Sequence, residues 1–383
     1  MQYKVISADD HIDLRWLPAD LWKERLPVAL RDRAPSVVET EKGPNWQCEG
    51  TMWGLWAPYG SGLSQWALDR AGDVLKEGEL RTTTPELRLT DMNRDGVDAS
   101  VLYGPTDPLR IADPELRRAC YEAYNDWLIE FCANAPERFI GAAQLSMEDP
   151  DAARDELLRL ARLGMRHFNV LAARADPPVY DPAWESFWDC AEETGLAIGF
   201  HLAVDTGMNR AASSSTAPTN PVVDRATRFA LNHPGFQLIE PIAGLIFTGV
   251  LDRHPNLKLV MAESGLAWIP NFIQAMDRLL NRLRLGHEKM DGIEKLPDLL
   301  PSEYFPRQIW MTFQDDFYGI KMLNILPEDK VMWGSDYPHP ASTWPDSQNI
   351  IEKLMDGIAP EVQEKVLYRN AMALFGLRHT GRK

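Results

Sequence analysis

The chain has 383 residues, with 56 acidic side chains against 40 Lys and Arg, a formal charge of −16. That balance excludes a general nucleic-acid binder, whose affinity comes from clustered positive charge. A hydrophobic fraction of 45% and an aromatic fraction of 9% exclude a disordered chain and allow a large core.

The N-terminus, MQYKVISADDHID, sets acids where a secretory leader needs an apolar run, so a cytoplasmic protein is expected. Apolar runs and helical periods then alternate, the sequence form of repeated βα units. Strands are predicted at Lys4 to Ala8, Ala99 to Tyr103, Phe139 to Leu145, Arg166 to Leu171, Ala197 to His201, Lys258 to Ala262, Gln308 to Thr312 and Val331 to Trp333. Eight such strands suit one α/β domain over 1–383, a (β/α)8 TIM barrel.

Two regions interrupt the alternation. The Trp-rich stretch at about 39–79, with Trp46, Trp53, Trp56 and Trp66, reads as a packed insertion after the first strand. Trp53 and Trp56 are candidate substrate-binding residues, and the insertion favours a roomy apolar entrance. The polar stretch 205–220, with AASSSTAPTN inside it, reads as a lid or a solvated loop. Between them Pro150 to Leu163 is an amphipathic helix, and Gly164 and Gly195 are candidate left-handed caps. Helices are expected over about 344–377, followed by a frayed basic tail. No run reaches the roughly 20 apolar residues that span a bilayer, so no membrane contact is expected. Four scattered cysteines without C-x-x-C fit neither a zinc ribbon nor a disulfide scaffold.

In a parallel barrel the chemistry sits where strand C-termini meet. Four predicted strands end in ionisable residues there: Asp9-Asp10-His11, Phe200-His201, Ala262-Glu263 and Gly334-Ser335-Asp336, the last followed by Tyr337-Pro338-His339. Strand alternation turns Asp9 and His11 to one side and Asp10 to the other, so a D-x-H pair can converge on one ion. Imidazole and carboxylate donors suit zinc, iron or manganese. Arg110, after YGPTDPL, is a candidate partner for a substrate carboxylate. No G-x-S-x-G elbow, phosphate loop or dinucleotide fingerprint is present.

The segments ISADDHID, PERFIGAAQLSMEDPDAA, DPAWESFWDCAEETGLAIGFHLA, HPNLKLVMAESGLAWIP, VMWGSDYPHP and RNAMALFGL resemble, in order and spacing, the amidohydrolase superfamily. The resemblance is to its amidohydrolase-related group, which includes aminocarboxymuconate-semialdehyde decarboxylase and resorcylate-type decarboxylases. It implies a barrel with Asp9, His11, His201 and Asp336 as ligands of a divalent metal, and a homodimer. Relatives commonly have His or Glu at the position of Asp9, and several decarboxylases have His where this chain has Glu263. A carboxylate beside a cation prefers to stay ionised, which makes Glu263 a further ligand, or a bridge between two ions. On that ground the expected activity is hydrolysis. Metal-activated water attacks an ester, thioester, lactone or amide of a large apolar acid; Asp336 takes the proton and His339 assists. The second reading is nonoxidative decarboxylation of an aromatic or unsaturated acid. The third is a binding barrel without catalysis.

Overall fold

The computed structural model describes residues 2–57, 69, 81–106, 108–202, 234–286 and 295–379. Trp66 and the stretch 205–220 lie outside them.

Strands are numbered in chain order: β1 (Ile6–His11), β2 (Ser36–Thr40), β3 (Gly43–Cys48), β4 (Thr51–Leu55), β5 (Ala99–Tyr103), β6 (Phe139–Gln144), β7 (His167–Val170), β8 (Ala197–Phe200), β9 (Lys258–Met261), β10 (Ile309–Phe313) and β11 (Val331–Trp333). Eight of them pair in parallel in the order β1-β5-β6-β7-β8-β9-β10-β11. Buried on both faces, these strands read as near-continuous apolar runs, and that is why the sequence reveals them. Backbone contacts just past β11 draw the ring together. Asp336 N–H donates to the Asp9 carbonyl and His11 N–H to the Tyr337 carbonyl, both at 2.7 Å. The fold is a nearly closed (β/α)8 barrel.

The helices are set by their starts. Asp113 and Asp149 accept from the backbone N–H of Leu116 and Ala152, and each is followed by Pro in the first turn of Pro114–Ala133 and Pro150–Arg162. Gly195 ends Glu185–Thr194 at φ 62°, the left-handed cap expected of it. Gly164 has φ 88°.

Two expectations change. The first strand runs to His11, three residues beyond its predicted end at Ala8. Its polar tail Asp9-Asp10-His11 is fully buried because it meets the other strand ends, so the apolar pattern stops before the strand does. The described part of the stretch after β1 includes a three-stranded antiparallel sheet, β2-β3-β4, with a register shift at Trp46/Gln47, which starts at Ser36, before the expected 39. Its indoles pack inward. Trp46 and Trp53 stand edge-on to Trp22 at 4.9 and 5.7 Å, and Trp46 N–H donates to the Leu14 carbonyl at 2.6 Å. Among the described residues no helix is long and apolar enough to cross a membrane.

Candidate metal centre

Asp9 and His11 share a face of β1 and point to the barrel mouth, as alternation requires. Asp10 points the other way. Its Oδ1 accepts from Ser7 Oγ, Ser335 Oγ and Tyr337 N at 2.7, 2.6 and 3.1 Å, and Ser100 Oγ donates to Oδ2. Behind β1 the buried Arg88 donates to the His11 carbonyl at 2.9 Å and lies 3.7 Å from Asp10. The strand that carries two site residues is therefore held from its back by a second polar set.

On the mouth side the predicted residues gather. His11 Nε2 lies 3.6 Å from Asp9 Oδ1 and 3.2 Å from Asp336 Oδ1, and His201 Nε2 lies 3.4 Å from Asp9 Oδ1 and 3.7 Å from Glu263 Oε2. His201 Nδ1 faces the Leu202 carbonyl at 2.9 Å, so Nδ1 carries the proton and Nε2 presents a lone pair. Asp9 Oδ1, His11 Nε2, His201 Nε2 and Asp336 Oδ2 are buried, and none has a hydrogen-bond partner among the described residues. Buried polar atoms are seldom left so. Ligands at about 2.0–2.2 Å from one ion stand about 3.0–3.5 Å apart, close to the separations within Asp9, His11 and His201, which can offer their atoms to one ion, while Asp336 groups with His11, Glu263 and His339. The residues fit a divalent cation.

Glu263 and Asp336 both sit at positive φ, 52° and 59°, at the ends of β9 and β11. Such backbone costs on the order of 1–3 kcal/mol and collects at functional sites. Here it turns two carboxylates inward. Glu263 N donates to Thr312 Oγ1 at 2.7 Å, and Thr312 Oγ1 donates to Asp9 Oδ2 at 3.1 Å.

His339 lies between two carboxylates, with Nδ1 2.7 Å from Asp336 Oδ1 and Nε2 2.7 Å from Asp13 Oδ2. Both nitrogens must then donate, so the ring is an imidazolium and has no lone pair for a metal. Its ring stacks on His11 at 4.0 Å. Asp13 also reaches His11 Nδ1 at 3.9 Å and accepts from Thr106 N at 3.3 Å. Sequence reasoning missed Asp13, although the alternation in Asp9-x-His11-x-Asp13 points to it.

Electrostatics follow the geometry. Burial raises the Asp9 carboxyl, but the imidazoles of His11 and His201 outweigh it and hold the group well below the usual range. Burial is likewise outweighed at Asp13 by His339, leaving it at about 2, and at Asp336 by His339 and His11. His11 rises to about 9: burial and the charge of His339 lower it, but Asp336, Asp9 and Asp13 prevail. Glu263 goes the other way, pushed far up by burial and then by Asp336 and Asp9.

The remaining candidates lie apart from this cluster in their described contacts. Arg110 is exposed, and its carbonyl accepts from the Trp53 indole at 3.3 Å. Trp53 is buried in the indole cluster, and half-buried Trp56 donates to the Leu17 carbonyl at 2.8 Å. Sequence reasoning also left the interior pair Tyr103 and His167 without a role. His167 Nδ1–H donates to the Ala197 carbonyl at 2.9 Å and Nε2 accepts from Tyr103 Oη at 2.8 Å, beneath His201.

A family model described as Amidohydrolase matches residues 53–377. The chain is 26% identical over 312 residues to 2-amino-3-carboxymuconate-6-semialdehyde decarboxylase of Dictyostelium discoideum, covering 80% of each chain. It is 27% identical over 297 residues to gamma-resorcylate decarboxylase of Rhodococcus jostii, covering 70% of this chain and 82% of that one. A solved dihydroxybenzoic acid decarboxylase of Polaromonas, which contains bound manganese, superposes with a TM-score of 0.63 at 16% identity over 99% of this chain and 98% of the other.

These relatives overturn the hydrolytic expectation, since the two curated proteins, matched over 80% and 70% of this chain, are decarboxylases. The physical reason lies in Glu263. The expectation of hydrolysis rests on the carboxylate that stands there in place of a histidine. A carboxyl at that place, 3.7 Å from His201 Nε2 and partly open to the mouth, can carry a proton as a histidine can.

Proposed function

Since the chain belongs to the amidohydrolase family, we propose that it is a metal-dependent nonoxidative decarboxylase of an aromatic or unsaturated carboxylic acid. One observation carries the reading: the buried, unpartnered donor atoms of Asp9, His11 and His201 come together, with Asp336 beside His11, in a chain whose matched relatives are decarboxylases. Those four residues would hold one divalent ion. The group His11, Glu263, Asp336 and His339 supports a second ion less well, because both nitrogens of His339 face carboxylates.

The ion, when bound, supplies positive charge for the substrate carboxylate and a neighbouring oxygen. The chain's own residues supply the proton. In the reaction the bond from the ring or alkenyl carbon to the carboxylate breaks, CO2 departs, and a C–H bond forms at the same carbon. Glu263 is the proposed donor. Its Oε2 stands 3.7 Å from His201 Nε2 without a hydrogen bond, which leaves its proton free to move. Asp336 and Asp13 hold His339 as a fixed cation beside the site, balancing part of the negative charge gathered there. Glu263 would regain its proton through the mouth, since its side chain remains 16% exposed.

Incubating manganese-loaded protein with a panel of carboxyl-labelled hydroxyaromatic and unsaturated acids in deuterated water tests this. Labelled CO2 and one deuterium at the vacated carbon are expected, with turnover at least a hundredfold lower in Glu263→Gln. Uptake of solvent oxygen into an acid product without CO2 would refute it.

A further inference from the structure

A TIM barrel is filled by layers of four side chains from alternate strands. Asp9 of β1 and Thr312 of β10 belong to one layer, since Thr312 Oγ1 donates to Asp9 Oδ2 at 3.1 Å. Two residues farther along, His11 ends β1 and Gln314 directly follows the end of β10, and extending the alternation of β10 by one residue puts Gln314 with His11 in the next layer toward the mouth. The ladder registers, carried round the ring with the stagger of one residue per strand that a shear of eight requires, add Gln144 and His201 to it.

Each member except one has its task. His11 and His201 are proposed ligands. Gln144 is committed at both ends: Nε2 donates to the Pro105 carbonyl at 2.8 Å and Oε1 accepts from Asn169 at 3.3 Å. Gln314 Nε2 is buried yet meets no acceptor among the described residues. A buried donor left unmet is destabilising and seldom kept without a use. The cluster at the mouth contains the carboxyl groups of Asp9, Asp13, Glu263 and Asp336, and the buried guanidinium of Arg88 is turned to the back of β1. Beside the ion, this unmet N–H is a further partner for an incoming organic anion.

We infer that Gln314 is a substrate-binding residue, its amide N–H donating to a carboxylate oxygen of the bound acid. The inference rests on the decarboxylase reading and adds to it what the site selects. Because that carboxylate leaves as CO2, the hydrogen bond exists with the acid and has no counterpart in the decarboxylated product. Gln314 thus favours uptake of substrate over retention of product, and its loss raises KM more than it lowers kcat.

The probes are 2-hydroxybenzoate and phenol, an acid and its decarboxylated counterpart, titrated calorimetrically into manganese-loaded wild-type, Gln314→Ala and Gln314→Glu proteins. Gln314→Ala should bind 2-hydroxybenzoate at least tenfold more weakly, the size expected of a hydrogen bond to a charged group, with phenol affinity unchanged. Gln314→Glu, which presents an anion in place of the amide, should weaken it further. The side-chain amide resonance that is missing from Gln314→Ala should shift in wild-type protein when the acid is added and not when phenol is. Acid affinity within twofold of wild type in either variant, equal weakening for both probes, or failure of the wild type to take up the acid would overturn the inference. Since these readouts need no turnover, acid bound through Gln314 without CO2 release would count against the decarboxylase reading alone.

Discussion

Asp13 serves two histidines at once, holding His339 at 2.7 Å and reaching the outer nitrogen of His11 at 3.9 Å. A carboxylate behind a metal-bound imidazole orients the ring and raises its basicity, and losing one typically costs 10–100-fold in metal affinity. Asp13→Asn should therefore bind manganese about 10–100-fold more weakly in a calorimetric titration, with Asp13→Glu recovering part of the loss. Affinity within twofold of wild type would remove Asp13 from the centre. At this scale the sequence was legible where a side chain's chemistry is unusual for its place: an acid or histidine at the end of an apolar run, as at Asp9, His11, His201 and Asp336, announces itself. Asp13 and Gln314 do not, because each lies past the last apolar residue of its strand, where polar side chains are ordinary. Their significance comes from neighbours on other strands.

Among elements, Asp95 links the helix Pro85–Asp95 to the helix Ser347–Leu354. It accepts from Ser347 N at 2.9 Å and from Ser347 Oγ, and Gln348 donates to its carbonyl at 3.0 Å. Burial above all, then repulsion from Asp10 and Asp346, raises its carboxyl to about 7 despite the Ser347 hydrogen bonds. A carboxyl raised on folding favours the folded state when protonated. Its contribution is full below the unfolded value near 4 and is lost as pH climbs through about 7. Urea unfolding at pH 5 and pH 8 should show wild-type stability falling by roughly 2–3 kcal/mol more than that of Asp95→Asn. Parallel losses would show that Asp95 is ionised throughout. Elements were legible to the degree that burial is two-sided. The barrel strands were, whereas β2 to β4 were hidden among Gly, Pro and exposed polar positions, with only Trp46, Cys48 and Trp53 fully inward.

For the whole molecule, the closing of the ring and the building of the site are one event. The contacts that draw the segment after β11 to β1, Asp336 N to Asp9 O and Tyr337 O to His11 N, involve the same residues whose side chains meet at the mouth. Gly334 permits that approach: a Cβ there would stand 2.6 Å from Asp9 Cβ. Strand count and order could be read from repetition along the chain, but no local pattern encodes how the last strand meets the first. The direct test of the account is a calorimetric titration of manganese into metal-free protein, wild type and Asp336→Ala. One equivalent in the wild type, with affinity lowered at least a hundredfold in a folded Asp336→Ala variant, is the predicted result. Two equivalents in the wild type, or an unchanged single equivalent in the variant, would contradict it.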